Sequence, residues 1–148
     1  MDSIDKKILS ILQKNNKISY NKLAKELKMA ASTVHNRVKN MEKKGIIKNY
    51  SAILDLEKTG YHSAALLGLS VDPIKMKDIA KKLSSYNKIQ LVAVSTGDHD
   101  IIAQIIAEDD KSLWRFINEK IKTIDGIKPQ MDVSNFIDIF KMTHFINF

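Results

Sequence analysis

The chain has 148 residues, enough for one medium domain or two small ones, and a hydrophobic fraction of 44% that fits a folded protein. It contains no cysteine, which excludes disulfides, thiolate nucleophiles and cysteine-ligated metals. No apolar run approaches the roughly 20 residues that span a bilayer. The first residues also lack the order of a signal peptide. We therefore expect a cytoplasmic protein with no membrane partner.

Positive charge is concentrated in the first third of the chain. Residues 1–50 hold 12 Lys and Arg against 4 Asp and Glu, which is +8, whereas residues 51–148 hold 12 against 13, which is −1. A basic segment of this kind is typical of a module that binds phosphates. General solubility is the alternative, but it would not require the charges to be segregated.

Three short helices are predicted within the basic segment. Apolar residues at helical spacing place them at about 3–14, 20–27 and 31–44. Ser19 is a suitable N-cap for the second helix, and Gly45 suits the position that follows the third. Because a sharp turn separates the last two helices, the segment is predicted to be a helix-turn-helix unit.

The third helix presents polar side chains opposite its apolar stripe of Val34, Val38 and Met41. Donors, mixed donor-acceptors and cations on such a face can enter the major groove of DNA and contact base edges. A solvated helix face and a surface that docks a protein are the alternatives. The residues of this face are Ser32, Asn36, Lys39, Asn40 and Lys43, with Thr33 on its flank.

These residues divide into two predicted kinds of DNA contact. Contacts to base edges are predicted for Ser32, Thr33, Asn36 and Asn40. His35 and Arg37 are predicted to meet phosphates or a neighbouring acid such as Glu42. The lysines predicted to contact phosphates are Lys22, Lys25, Lys28, Lys39, Lys43 and Lys48. With only two arginines in the chain, guanine contacts are scarce, so we expect A·T-rich sites read partly through DNA shape.

The remainder of the chain alternates strands and helices. Apolar runs predict one or two short strands within 46–54, and then strands at 63–71, 89–96, 101–107 and about 131–142. Helices are predicted at about 74–84 and from Asp109 or Asp110 to about 123. The order βαββαβ predicts a ferredoxin-like domain. The chain is thus predicted to be α+β, with a three-helix (winged) helix-turn-helix domain at 1–50, a linker strand or hinge at 51–60 and a ferredoxin-like domain at 61–148.

A four-stranded sheet with both helices on one face leaves its other face open. The predicted strands supply apolar side chains to both faces, among them Leu66, Val92 and Ile102. We therefore expect a homodimer formed by sheet-to-sheet packing, with fully buried strands in a monomer as the alternative. Two-fold symmetry would favour near-palindromic operators with half-sites about one helical turn, or a multiple of it, apart.

Several motifs, taken together and in order, closely resemble the leucine-responsive/asparagine-regulatory (Lrp/AsnC) family over essentially the whole chain. They are Asp2-x-x-Asp5-x-x-Ile8-Leu9-x-x-Leu12, Ile18-Ser19-Tyr20-x-x-Leu23-Ala24, Ser32-Thr33-Val34-His35-x-Arg37-Val38, Gly45-Ile46-Ile47-x-x-Tyr50 and Thr96-Gly97-Asp98-His99-Asp100. The resemblance implies a transcriptional regulator that binds double-stranded DNA through its helix-turn-helix. It also implies a C-terminal domain that forms dimers, which often assemble further to tetramers or octamers, and that binds an amino acid or related small effector.

The resemblance places the effector near the Gly-Asp loop, so the candidate effector residues are Thr96, Gly97, Asp98, His99 and Asp100. From the residues alone, Asp98 or Asp100 can hold an α-ammonium group, but a hairpin turn that uses Gly and Asp for geometry is the favoured explanation, and the family resemblance is what turns the balance towards a site. The chain departs from the family pattern at Lys28, where glycine is usual, at Ala30, where serine is usual, and at His99, where tyrosine is common.

Catalytic signatures are absent from the sequence. It contains no HExxH, P-loop, GxSxG or glycine-rich dinucleotide motif, and its four histidines are scattered. His99 between two aspartates is too short a motif to predict a metal site. We expect a binding protein without cofactor or metal rather than an enzyme.

Overall fold

The computed structural model describes residues 1–148, which form two compact units. Unit 1 contains residues 1–53 together with 141–148, and unit 2 contains residues 54–140. The segment 141–148, which the sequence analysis assigned to the ferredoxin-like domain, therefore lies with the helical unit. No helix in either unit is both long enough and apolar enough to cross a bilayer.

Unit 1 contains the three predicted helices: α1 (Ser3–Lys14), α2 (Tyr20–Leu27) and α3 (Ala31–Lys43). Asp2 caps α1 in a reciprocal capping box with Asp5, and the Ser19 hydroxyl accepts a hydrogen bond from the α2 backbone. Gly45 follows α3 with a φ of 68°, which suits glycine. The helices share one apolar core of Ile8, Leu9, Leu12, Leu23, Ala24, Val34, Val38 and Met41.

The turn between α2 and α3 contains Lys28 and Ala30, two departures from the family pattern that lower the stability of the turn. Lys28 ends α2 in the left-handed conformation, with φ 53° and ψ 47°, where a Cβ is disfavoured. Ala30 occupies the N-cap of α3 and offers no side-chain hydrogen bond to the free amides of that helix. Both positions are therefore suboptimal for stability in this chain.

Residues 46–54 correct one prediction, because they form no strand. A strand requires backbone partners from a neighbouring strand, and no other segment of this chain pairs with them. The segment is instead tied to α3: the Ile46 amide donates to the Met41 carbonyl at 2.9 Å, and the Tyr50 hydroxyl donates to Glu42 at 3.0 Å. The Ile53 side chain remains 76% exposed.

Unit 2 has the predicted ferredoxin-like topology. Its strands β1 (Ser63–Val71), β2 (Ile89–Val94), β3 (Ile101–Ala107) and β4 (Ile127–Asn135) form an antiparallel sheet in the order β2-β3-β1-β4. Helix α4 (Met76–Ser84) follows β1, and helix α5 (Asp110–Phe116) follows β3 and continues as a π-helical turn, Ile117–Ile121. A short 3₁₀ turn, Glu57–Thr59, precedes the sheet.

Strand β4 was predicted at about 131–142 but begins four residues earlier, at Ile127, and ends seven residues earlier, at Asn135. Pro129 misled the prediction, because proline usually interrupts strands. Here β4 is an edge strand that pairs only with β1, and Pro129 lies opposite the register shift between Leu69 and Val71, where no ladder hydrogen bond is needed. Strand β2 also ends at Val94 instead of residue 96, and α4 begins at Met76 instead of residue 74.

The two faces of the sheet differ. One face packs against both helices and contributes Leu67, Leu69, Ile101 and Ile105 to the core. The alternate residues point to the opposite face, where Gly68 of β1 lies between Ile102 of β3 and Asp132 of β4. No helix belongs to that second face, which we call the outer face of the sheet.

Candidate DNA-binding surface and effector loop

Helix α3 separates its apolar and polar residues as the sequence predicts. Val34 and Val38 are fully buried, and Met41 is 2% exposed, so the helix is fixed by the core of unit 1. The opposite side is exposed along its whole length. Its exposed residues are Ser32, Thr33, His35, Asn36, Lys39, Asn40 and Lys43, and Lys22 of α2 is exposed as well.

Arg37, predicted to contact phosphates or an acid, is held by two carboxylates of α1 and its N-cap. Its guanidinium nitrogen lies 2.7 Å from Asp2 and 2.8 Å from Asp5, at the start of α1. Hydrogen bonds to these carboxylates raise the pKa of Arg37, while the Asp5 amide and then Arg37 lower the pKa of Asp2. Arg37 thus braces α3 against α1. The sequence suggested an acid partner such as Glu42, whereas the structure provides Asp2 and Asp5.

Glu42 has other partners. It accepts the Tyr50 hydroxyl at 3.0 Å and lies 3.3 Å from the ammonium of Lys39. The Tyr50 hydrogen bond is the main cause that lowers the pKa of Glu42, and burial is the main cause that raises the pKa of Tyr50. The acid therefore joins α3 to the segment that follows it.

Tyr20 is a residue of this surface that the sequence analysis did not select. Its ring centroid lies 4.9 Å from that of His35, at an interplanar angle of 45°. The contact joins the first residue of α2 to the exposed side of α3. Helical periodicity gives no signal for it, because the two residues belong to different helices.

The loop between β2 and β3 contains the five candidate effector residues, and its far end is fixed to the sheet. The Asp100 amide donates to the Leu69 carbonyl at 3.0 Å, and its carboxylate accepts from the Val71 amide at 2.8 Å. Both bonds go to β1 at the register shift between Leu69 and Val71. Asp100 is therefore engaged in holding the fold, although the sequence made it a candidate for an α-ammonium group.

His99 lies on the outer face of the sheet. Its Nε2 is 3.0 Å from an Asp132 carboxylate oxygen, and its ring occupies the space that a Cβ at Gly68 would need. Thr96, Gly97 and Asp98 are exposed, and the Gly97 amide donates to the Ser95 hydroxyl at 3.2 Å. The loop residues thus divide into an anchored pair, His99 and Asp100, and an exposed part, Thr96–Asp98.

The histidine and its two flanking aspartates do not converge. No group of three or more His, Asp and Glu side chains in the chain is placed to hold a metal ion.

The fold and the exposed polar side of α3 define a two-domain helix-turn-helix protein, and comparison with known proteins agrees. Residues 1–48 match the family "Winged helix-turn-helix DNA-binding", and residues 71–148 match "PF0864 C-terminal dimeric alpha+beta barrel domain", an AsnC-type domain. The HTH-type transcriptional regulator Ptr1 of Methanocaldococcus jannaschii is 34% identical over 145 residues, covering 96% of this chain and 98% of its own.

Solved structures show the same fold. AsnC of E. coli superimposes with a TM-score of 0.89 at 24% identity, covering 98% of this chain and 97% of its own. The regulator NMB0573 of Neisseria meningitidis, in a structure described as an L-Met complex, gives 0.91 at 22% identity, covering 99% and 96%. The chain therefore belongs to the Lrp/AsnC family of DNA-binding transcriptional regulators, and it is not an enzyme.

Proposed function

We propose that the chain regulates transcription as a homodimer that places α3 of each copy in the major groove of a near-palindromic, A·T-rich operator. The observation that carries the proposal is the exposed polar side of α3, where Ser32, Asn36 and Asn40 lie free of the core. Asparagine can bind adenine through two hydrogen bonds. Lys22, Lys39 and Lys43 are placed to supply salt-dependent phosphate contacts. Acting on operators would place the protein in the cytoplasm.

The operator proposal is tested by selecting bound duplexes from a random pool and then footprinting the protein on the selected sequences. Paired, inverted half-sites rich in A·T, separated by about one helical turn or a multiple of it, are the expected result. Single unpaired sites would contradict the dimer, and G·C-rich sites would contradict the proposed asparagine contacts. Binding should weaken steeply between low and high salt.

The dimer is proposed to form through the outer face of the sheet. Leu91, on the same face as Gln104 and Ile102, is 47% exposed in the single chain. An apolar sheet face without a helix favours a second sheet as its partner, and the matching family domain is described as dimeric. Sedimentation should give a dimer or its multiples, such as a tetramer or octamer. A charge at Leu91, as in Leu91→Glu, should shift the protein to single subunits.

We further propose that an amino acid binds at the loop Thr96–Asp100 and modulates DNA binding. Asp98 is exposed there, and Gly97 allows close approach to the backbone. The L-Met complex of the Neisseria regulator supports this class of effector. Thermal-shift measurements with each of the twenty amino acids test the idea. A rise in Tm with one of them, lost in Asp98→Asn, is expected; no response to any of them would overturn it.

A further inference from the structure

The segment Lys141–Phe148, which we call the tail segment, is hydrogen-bonded to helix α1 through the side chain of Gln13. The Gln13 Nε2 donates to the Ile146 carbonyl at 3.0 Å, and the Ile146 amide donates to the Gln13 Oε1 at 2.7 Å. One amide side chain thereby satisfies both backbone groups of one residue, as a neighbouring strand would. The pairing joins residues that are 133 positions apart in the chain.

The rest of the tail segment contacts the same unit without regular secondary structure. Phe145 and Phe148 are each 49% exposed, so about half of each side chain is covered. The Phe145 amide donates to the Thr143 hydroxyl at 3.1 Å, which shapes the backbone just before Ile146. Contacts group the whole segment with residues 1–53.

Sequence similarity and contacts place the tail segment differently. The family match to the C-terminal domain includes residues 71–148, so by sequence the segment belongs with the sheet. By contacts it belongs with the helices. The chain therefore passes between the two units twice, once after residue 53 and once after residue 140.

We propose that the tail segment is a second tether of the DNA-binding unit, docked on α1 through Gln13, and that it strengthens simultaneous binding to two half-sites. A unit held by one connection samples more orientations than a unit held by two. Because binding of the second half-site depends on the effective concentration of the second DNA-binding unit, restricting its motion raises that affinity without a new DNA contact. The inference rests on the proposed dimer and its paired half-sites.

This role makes a prediction that a purely structural role does not. If Gln13 only stabilised unit 1, losing it would weaken binding to one half-site and to two half-sites alike. If it serves as a docking point for a tether, binding to one half-site is unaffected and binding to two half-sites is weakened.

The experiment uses the full chain with Gln13→Ala, and the control Ser10→Ala on the same helix, where the hydroxyl only bonds the Lys6 carbonyl of its own helix. Affinities are measured for duplexes with one selected half-site and with two. We expect Gln13→Ala to lose about tenfold on the paired duplex, since gains from linkage are typically larger than that. Its affinity for the single half-site should equal that of wild type, and Ser10→Ala should match wild type on both.

Hydrogen exchange gives a direct reading of the docking. The Ile146 amide should exchange slowly in wild type and in Ser10→Ala, and faster in Gln13→Ala, because its acceptor is removed. A chain that ends at Phe140 should lose as much affinity for the paired duplex as Gln13→Ala does. This second variant separates loss of the tether from any local effect of the substitution on α1.

Two results would overturn the inference: an equal loss on single and paired duplexes, or no loss on either with faster exchange at Ile146. A different result would overturn the proposed operator function instead. If wild type gained no affinity from the second half-site, the dimer with paired half-sites would be wrong, whatever Gln13→Ala did.

Discussion

Helix α3 and the Gly-Asp loop differ in how far their polar groups are bonded to other residues of the chain. On α3, Ser32, Asn36 and Asn40 are exposed, and the buried side of the helix carries only its apolar stripe. In the loop, Asp100 is bonded to β1 and His99 is paired with Asp132. Whether a helix residue is exposed and available for binding can be predicted from its spacing in the sequence. For a loop residue, the same question depends on which strand its side chain contacts in the folded chain.

The largest expected effect concerns the helix. Asn36→Ala should lower operator affinity by about 1–3 kcal/mol and relax base preference at one position, because a base contact is lost. Lys43→Ala should instead weaken binding to all sequences and reduce the salt slope by about one. Equilibrium titrations at several salt concentrations separate the two. Equal behaviour of the two variants would remove the distinction between base and phosphate contacts.

A change of similar size, in the free energy of unfolding, is expected where His99 of the loop packs against Gly68 of β1. Gly68→Ala would place a methyl group in the space of the His99 ring, and overpacking of this kind costs about 1–3 kcal/mol. Adding His99→Ala should recover most of that loss, since the obstructing ring is gone. Gly97→Ala is the matched control, because only the Ser95 hydroxyl lies near its Cβ position, at 3.7 Å. Denaturant unfolding of wild type, Gly68→Ala, His99→Ala and the double variant completes the cycle, and additive losses would contradict the contact.

A smaller gain is expected at the turn before α3. Ala30→Ser should raise the free energy of unfolding by about 1 kcal/mol, because its hydroxyl can accept a hydrogen bond from a free amide of the helix. Lys28→Gly should raise it by a similar amount, about 1 kcal/mol, by relieving a left-handed side chain. Lys28→Ala removes the same charge and keeps the strained backbone, so it should give no such gain. Thermal unfolding at fixed pH tests the series.

The smallest expected effect is a change in the pH dependence of stability below neutral pH. The pKa of Asp2 is lowered in the folded state by the Asp5 amide and by Arg37, so folding is favoured by the ionised form. This contribution is present above the unfolded pKa of about 4 and is lost as pH falls through the lower folded value. Asp2→Asn should therefore be less stable at neutral pH and should differ less from wild type near pH 2. A constant difference across that range would contradict the Arg37 brace.

Most of the fold could be predicted from the sequence because its signals are local. Ser19 and Gly45 mark helix ends by their own chemistry, and the helical spacing of Val34 and Val38 fixes the buried side of α3. The errors arose where tertiary partners decide. Residues 46–54 have strand-like composition but no strand beside them, and Pro129 is tolerated in β4 only because it faces a register shift at an edge.

The candidate sites also divide into features that local sequence determines and features that tertiary contacts determine. The exposed residues of α3 were predictable from periodicity, since one helix contains them all. The pairing of Arg37 with Asp2 and Asp5, the ring contact of Tyr20 with His35, and the place of His99 over Gly68 all join separate elements. No spacing rule in a single sequence specifies such contacts.

The double attachment of Asp100 to β1 limits how the neighbouring loop can change shape. Its amide and carboxylate are both bonded to the last residues of β1, so the part of the loop that we expect to rearrange is the exposed Thr96–Asp98. Three residues reach about 10 Å when extended. Any change of shape there is thus limited to a short span, and the effector that we propose for this loop is correspondingly small.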